Sequence, residues 1–172
     1  MYVPKFWHKL LKTLALFCVI VFLWLYFVHE PSHYFACCVQ GGQSTIAMFA
    51  LSPHVMCTGT DLLSPAGRLI YVAAPYWVDL AALIALAFVK RRSILLKLLP
   101  HAAFFDFLSN FAGAKIAAVD YDFQLIRAMN PAAEIMLLVA IVLVWVVFYG
   151  RDLTRKIVDS QNGSNRSKWL NF

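Results

Sequence analysis

The sequence predicts an all-α, multi-pass membrane helical bundle of about four transmembrane helices, with a short loop or hairpin between the first two. Of the 172 residues, 62% are hydrophobic and only 14% are charged, whereas a soluble domain has about 45–50% apolar and about 25% charged residues. Aromatic residues make up 15% of the chain, and Trp and Tyr favour membrane interfaces. We therefore expect lipid to solvate much of the protein surface.

Four apolar stretches approach the roughly 20 residues that a bilayer requires. Gly41-Gly42 terminates the first, and Pro131 suits the first turn of the fourth, where its missing N–H costs nothing. Between the first two spans, a β-prone piece at 45–49 indicates a hairpin or re-entrant loop. We expect spans at 13–39, 67–89, 94–118 and 131–149 in a single transmembrane domain (1–158), followed by a polar cytoplasmic tail (159–172).

The first span could be mistaken for a signal peptide, because lysines precede an apolar run. That run, 14–28, continues directly into His29, Glu30 and His33 rather than into a small-residue cleavage site, so we expect a retained helix. Four cysteines (Cys18, Cys37, Cys38 and Cys57) lack CxxC spacing, and three of them lie in this span. We therefore expect no disulfide framework.

The basic residues indicate the orientation of the helices. The net charge is +6, and it is concentrated in short clusters beside hydrophobic spans rather than in a patch suited to nucleic acid. With four spans, the three main clusters fall on one side, which predicts an integral membrane protein with both termini cytoplasmic. The clusters are Lys5, Lys9 and Lys12; Lys90, Arg91, Arg92 and Lys97; and Arg151, Arg155, Lys156, Arg166 and Lys168.

The first span carries an HExxH sequence, His29-Glu30-Pro31-Ser32-His33. Positions four apart share one helix face, so both imidazoles can bind one metal ion. Glu30, turned about 100° from His29, can act as general base on a metal-activated water and pass the proton to a leaving amine. Ionisable residues within a span are costly and indicate function. The alternative, a polar turn at the helix end, is disfavoured because apolar residues resume at Tyr34-Phe35.

With this motif in an early membrane helix, followed by Gly-Gly, the chain resembles the site-2 protease class of intramembrane zinc metalloproteases. The segment 28–36 is similar to their HExxH helix, and Ala74-Pro75 with 76–80 is loosely similar to their Gly-Pro-x-x-Asn helix. Leu99-Pro100 and Phe105-Asp106 are similar to their Leu-Pro…Asp-Gly helix, whose Asp is the third zinc ligand. The resemblance implies Zn²⁺ as cofactor and a transmembrane protein as substrate.

For the third metal ligand we favour Asp106, which lies near the expected depth of the two histidines. Asp79 and Glu134 are alternatives, although Glu134 suits the N-terminus of the fourth helix and Asp79 suits an acceptor for a histidine N–H. Asn110, one turn beyond Asp106, is expected to orient a ligand or to hydrogen-bond the substrate backbone. Two further acids, Asp120 and Asp122, are expected to face solvent, and His54 to lie on the surface.

The predicted function is zinc-dependent hydrolysis of a peptide bond in or beside a membrane-spanning substrate. His29, His33 and Asp106 would hold the metal, and Glu30 would serve as catalytic base. Two other classes remain open: a non-catalytic partner-binding membrane protein with a structural or lost metal site, and a membrane metal-binding or transport protein. The expected partners are the substrate and the lipid bilayer, with no nucleic acid. The sequence does not indicate the oligomeric state.

Overall fold

A computed structural model describes residues 5–49, 52–59, 64–90, 93–116 and 122–150. The expected polar tail, the end of the third span (117–118), Asp120, Arg91, Arg92 and the basic residues beyond Gly150 lie outside the described residues. Within them, the chain is a helical bundle with one small sheet. The elements are α1 (Lys5–Trp24), a π-helical turn (Leu25–His29), α2 (Glu30–Val39), β1 (Gln43–Phe49), β2 (Ser52–Thr58), α3 (Pro65–Phe88), α4 (Ile94–Ile116), α5 (Asp122–Met129), α6 (Pro131–Trp145) and a second π-helical turn (Val146–Gly150).

Four of these helical segments are long and apolar enough to cross a membrane, which confirms the predicted fold class. The first is continuous from α1 through α2 and includes the basic segment that precedes the apolar run. Each of the four segments carries exposed large apolar side chains, as a surface in contact with lipid does; examples are Phe27, Phe88, Ile116 and Val139. The segments are Trp7–Val39, Pro65–Phe88, Ile94–Ile116 and Pro131–Gly150.

Helix α3 is central, because it contacts α2, α4, α5 and α6. Tyr76 of α3, Phe107 of α4 and Phe123 of α5 are fully buried. The ring centroid of Tyr76 lies 4.5 Å from that of Phe123 and 6.0 Å from that of Phe107. Edge-to-face and tilted rings at such distances stabilise a core beyond the area they bury. The three helices therefore share one aromatic core.

The segment between the first two spans is an antiparallel hairpin, as expected. Strands β1 and β2 pair with Ile46 opposite Val55. The hairpin follows directly on α2, which ends in a Schellman motif: Gly41 adopts a positive φ of 82°, and Gly42 N–H donates to the Cys37 carbonyl at 3.0 Å. Glycine suits this left-handed position because it carries no Cβ.

Cys37 and Cys57 form a disulfide bond between α2 and β2, so the expectation that the cysteines would not be bridged is wrong for this pair. Sequence spacing gave no sign of the bond because the hairpin folds back over 20 residues to reach α2. Cys18 and Cys38 are free and exposed. The disulfide fixes the hairpin covalently to the helix that carries the HExxH motif.

Candidate metal centre

The HExxH helix is interrupted immediately before its first histidine. The turn Leu25–His29 is π-helical, and the N–H of Glu30 donates to the Leu25 carbonyl, five residues back. Pro31 has no N–H for the Phe27 carbonyl, so regular α-helical bonding fails there, and π-helical turns of this kind occur often at functional sites. The Ser32 hydroxyl donates to the Val28 carbonyl at 2.5 Å. Both histidines then point into the bundle and are buried.

Each imidazole has a defined partner on its Nδ1 atom. Nδ1 of His29 lies 2.7 Å from Oδ2 of Asp106, and Nδ1 of His33 lies 3.0 Å from the main-chain oxygen of Tyr71. A carbonyl and a carboxylate only accept hydrogen bonds, so both Nδ1 atoms carry the proton. In the neutral rings, the lone pairs are consequently on the Nε2 atoms.

A proline makes the Tyr71 carbonyl available to His33. In a regular helix this oxygen would accept from the N–H of residue 75, but that residue is Pro75, inside α3, and proline has no N–H. The free carbonyl turns to the imidazole. A sequence feature of the second span therefore sets the orientation of a side chain in the first.

The two Nε2 atoms converge on the carboxylate of Asp122. Oδ2 of Asp122 lies 3.5 Å from Nε2 of His29 and 3.2 Å from Nε2 of His33, and one ligand atom from each of the three residues lies within 4.8 Å of the others. Three electron-pair donors face one another here, an arrangement that requires a proton or a cation between them. Bond lengths of about 2.0–2.1 Å around tetrahedral zinc would put ligand atoms about 3.3 Å apart, close to the two measured separations.

Helix α5 brings Asp122 to this position. Phe123 and Ile126 of α5 are buried, and the Arg127 guanidinium donates two hydrogen bonds, of 2.7 and 2.6 Å, to the Glu134 carboxylate at the start of α6. Lys115 of α4 lies 3.3 Å from the same carboxylate. These contacts tie α5 to the ends of two membrane helices.

Asp122 was expected to face solvent, and the structure shows that this expectation is wrong. Its side chain is 21% exposed, and the Tyr76 hydroxyl donates to its Oδ2 at 2.9 Å. Burial raises the pKa of this carboxyl, but hydrogen bonds and charges from His29 and His33 outweigh that effect and hold the pKa well below its ordinary range. These hydrogen bonds and charges come from protonated rings, beside which the carboxylate is the stable form, and a metal would have to displace the Nε2 protons.

The other expected site residues surround this centre. Asp106 is fully buried on the opposite side of the His29 ring from Asp122, so the structure places it as the partner of Nδ1 rather than beside the Nε2 atoms. Asn110 donates to both the main-chain oxygen and Oδ1 of Asp106 at 3.1 Å, which fixes that carboxylate. Asp79 accepts from the Trp24 indole N–H at 2.8 Å and bonds no histidine within the described segments.

Glu30 is directed at the hairpin. Its Oε2 accepts a hydrogen bond from the main-chain N–H of Val55 at 2.9 Å, and Oε1 lies 3.9 Å from Nδ1 of His54, whose side chain is 59% exposed. Glu134, the remaining alternative ligand, is paired with Arg127 and Lys115 and belongs to the α4–α5–α6 contact.

Sequence reasoning missed Asp122 because it lies outside the four hydrophobic spans. A signal was present: Phe123 and Ile126, three residues apart, are an apolar pair on one helix face, and an acid at the first position is typical of a helix start. Such a short amphipathic helix is stable only if its apolar face packs against the rest of the protein. That requirement places Asp122 next to the bundle.

Fold and site together define a helical membrane protein with a candidate metal centre between its first two spans and a short connecting helix. No protein-family model, curated protein or solved structure matches the chain.

Proposed function

We propose that the chain is an intramembrane zinc metalloprotease that hydrolyses a peptide bond in or beside a membrane-spanning substrate. The observation that supports it best is the convergence of the His29 and His33 Nε2 atoms with the Asp122 carboxylate. Glu30 directly follows His29 in the sequence. Two imidazoles and a carboxylate are a ligand set of catalytic zinc sites, which keep a fourth position open.

The surroundings of the three proposed ligands favour a metal site over a cluster held together by hydrogen bonds alone. Asp106 and the Tyr71 carbonyl each accept the Nδ1 proton of one histidine, the arrangement that fixes metal-bound imidazoles and raises their basicity. Tyr76 adds a hydrogen bond to the third ligand. We assign Asp122 as that ligand and Asp106 as the residue that orients His29, in place of the expected ligand role for Asp106.

The reaction requires one general base, and Glu30 is the candidate. Zinc, when bound, makes water more acidic and polarises the scissile carbonyl. The oxygen of water adds to the carbonyl carbon while Glu30 takes the proton. The C–N bond then breaks as Glu30 returns that proton to the leaving nitrogen. One carboxylate oxygen of Glu30 is held by the Val55 N–H, and the other, Oε1, which lies 3.9 Å from Nδ1 of His54, would take the proton.

We also propose that both termini are cytoplasmic and that the hairpin faces the opposite compartment. Lys9, Lys12 and Lys90 lie beside the ends of the first two spans that are remote from the hairpin, which fits the positive-inside pattern. The Cys37–Cys57 disulfide supports the same orientation, since disulfides persist in oxidising compartments.

Metal content and cleavage together test the proposed function. Wild-type protein should copurify with zinc or bind it in solution, and His29→Ala should abolish binding. His8→Ala, which changes an exposed histidine of α1, is the matched control and should bind as wild type does. As substrate we suggest a Leu/Ala-rich transmembrane peptide with a Gly-Pro break and a donor–quencher pair, because a substrate helix must unwind before its carbonyl can be attacked.

Glu30→Gln separates the protease from the other classes. A protease keeps its zinc but loses cleavage when the base is neutral. If wild type and Glu30→Gln both bind zinc and neither cleaves the peptide, a structural metal site in a partner-binding protein is favoured. Metal movement across vesicles would favour transport. Absence of zinc from purified wild type, with none taken up on addition, would leave only a membrane bundle.

A further inference from the structure

We propose that strand β2 is the element that positions Glu30, and that the Cys37–Cys57 disulfide and the Tyr71 hydroxyl hold the strand in place for this task. The inference rests on the proposed function, since it assigns the device that aims the general base. It makes hydrolysis dependent on a covalent bond that does not touch the metal ligands.

Val55 provides the direct contact. Its N–H donates to Oε2 of Glu30 at 2.9 Å, and its carbonyl accepts from the Tyr71 hydroxyl at 3.1 Å. Both main-chain polar groups of one β2 residue are therefore bonded to the helices that carry the candidate site. A main-chain donor cannot change rotamer, so it fixes the carboxylate more firmly than a side chain would.

Tyr71 links this contact to the metal centre. Its main-chain oxygen accepts from His33, its hydroxyl holds Val55, and its ring centroid lies 5.2 Å from that of His33. One residue of α3 thus sets both a metal ligand and the strand that holds the base. Removing only the hydroxyl leaves the His33 contact unchanged.

The disulfide supplies the remaining restraint. A two-stranded hairpin is marginally stable on its own, and Cys57 lies two residues beyond Val55 on β2. The hairpin also approaches α2 closely at Gly42, where a Cβ would lie 2.7 Å from the Cys37 sulfur and 2.8 Å from the Cys57 sulfur. Glycine is required there for the bridge to form without displacement.

The test compares Cys57→Ser and Tyr71→Phe with a matched control, Cys38→Ser, which changes the exposed free thiol next to Cys37. For each purified protein we would measure zinc content, kcat and KM on the Gly-Pro transmembrane peptide, and hydrogen exchange of the β2 amides. We expect both variants to retain zinc and to lose kcat by about 10- to 100-fold, the penalty for a catalytic group misplaced by about 1 Å. KM should change little, and the β2 amides should exchange faster.

Reduction of wild type provides the same comparison without mutation. Tris(2-carboxyethyl)phosphine is the reductant of choice because, unlike a dithiol, it offers zinc no thiolate ligand. The phosphine supplies two electrons and takes an oxygen atom from water to become a phosphine oxide, and the two protons of that water convert the disulfide sulfurs to two thiols. This treatment is compared in the three proteins. It should lower kcat of wild type and of Cys38→Ser, reversibly, and leave Cys57→Ser unaffected.

The outcomes distinguish this inference from the proposed function. Wild-type kcat in both Cys57→Ser and Tyr71→Phe would overturn the positioning role while the protease proposal stands. Loss of zinc from both variants would also overturn it, because the hairpin would then support the metal site as a whole. A wild-type protein that neither binds zinc nor cleaves the peptide would contradict the proposed function itself.

Discussion

Asp106 and His29 are joined by a 2.7 Å contact between Oδ2 and Nδ1, deep in the bundle and 77 residues apart in sequence. The contact fixes which imidazole nitrogen carries the proton and so directs the Nε2 lone pair of His29 towards Asp122. Asp106 and Asp122, on opposite sides of the His29 ring, therefore have different tasks. The predictions below separate those tasks.

Asp122→Ala should abolish zinc binding at micromolar metal, because it removes one of the three proposed ligands. Asp106→Ala should weaken binding by about 10- to 100-fold, as is typical when the acceptor behind a histidine ligand is lost. Competition with a chromogenic chelator measures both affinities. Equal loss in the two variants, or a greater loss in Asp106→Ala, would reverse the assignment of ligand and orienting residue.

Tyr76→Phe should lower zinc affinity by up to about tenfold, since it removes the hydrogen bond to Oδ2 of Asp122. The control is Tyr149→Phe, which removes a 2.6 Å hydrogen bond to the Leu83 carbonyl elsewhere in the bundle. Both variants lose one buried hydroxyl, so a similar decrease in thermal stability is expected. If zinc affinity falls equally in both, the effect belongs to the bundle and not to the ligand.

Pro75→Ala should weaken zinc binding by up to about tenfold. The new N–H at position 75 can bond the Tyr71 carbonyl and compete with Nδ1 of His33. Pro100→Ala, a change at a buried proline inside α4, is the matched control and should leave affinity unchanged. Unaltered zinc affinity in Pro75→Ala would mean that the carbonyl serves both donors.

Acidification should weaken zinc binding steeply. A protonated imidazole has no lone pair on Nε2. With two histidines as the proposed ligands, log Kd should rise by up to about two for each unit by which the pH falls, in the range where both rings take up protons. Zinc titrations in buffers of decreasing pH give the slope. A slope near zero would contradict ligation by His29 and His33.

The sequence predicts the fold well because lipid imposes strong constraints. Length and hydropathy specify the four long helices, and Gly41 and Pro131 mark two of their ends. The HExxH spacing alone predicts that His29 and His33 share a face. These are local properties, and local periodicity reports them directly.

The site depends on contacts that periodicity cannot reveal. Depth in the membrane correctly suggests that Asp106 lies near His29, but not which ring nitrogen it meets. Asp122 reaches the centre only because α5 packs through Phe123 and is tied down by Arg127. The Cys37–Cys57 bond depends on how the hairpin folds back. Each is a tertiary relationship between segments that are distant in the chain.

The π-helical turn Leu25–His29 has a consequence for the face that the first span presents. Positions five apart on an α-helix are about 140° apart, so a regular helix could not aim both Trp24 and His29 at the interior. A π-helical turn has more residues per turn, so both side chains face the interior. Trp24 can then contact Asp79 while His29 contacts Asp106. Deleting a single residue from this turn would rotate the preceding part of the first span by about 100° relative to the part that follows. The Trp24 indole would then lose its hydrogen bond to Asp79, whereas His29 and His33 would keep their positions relative to each other.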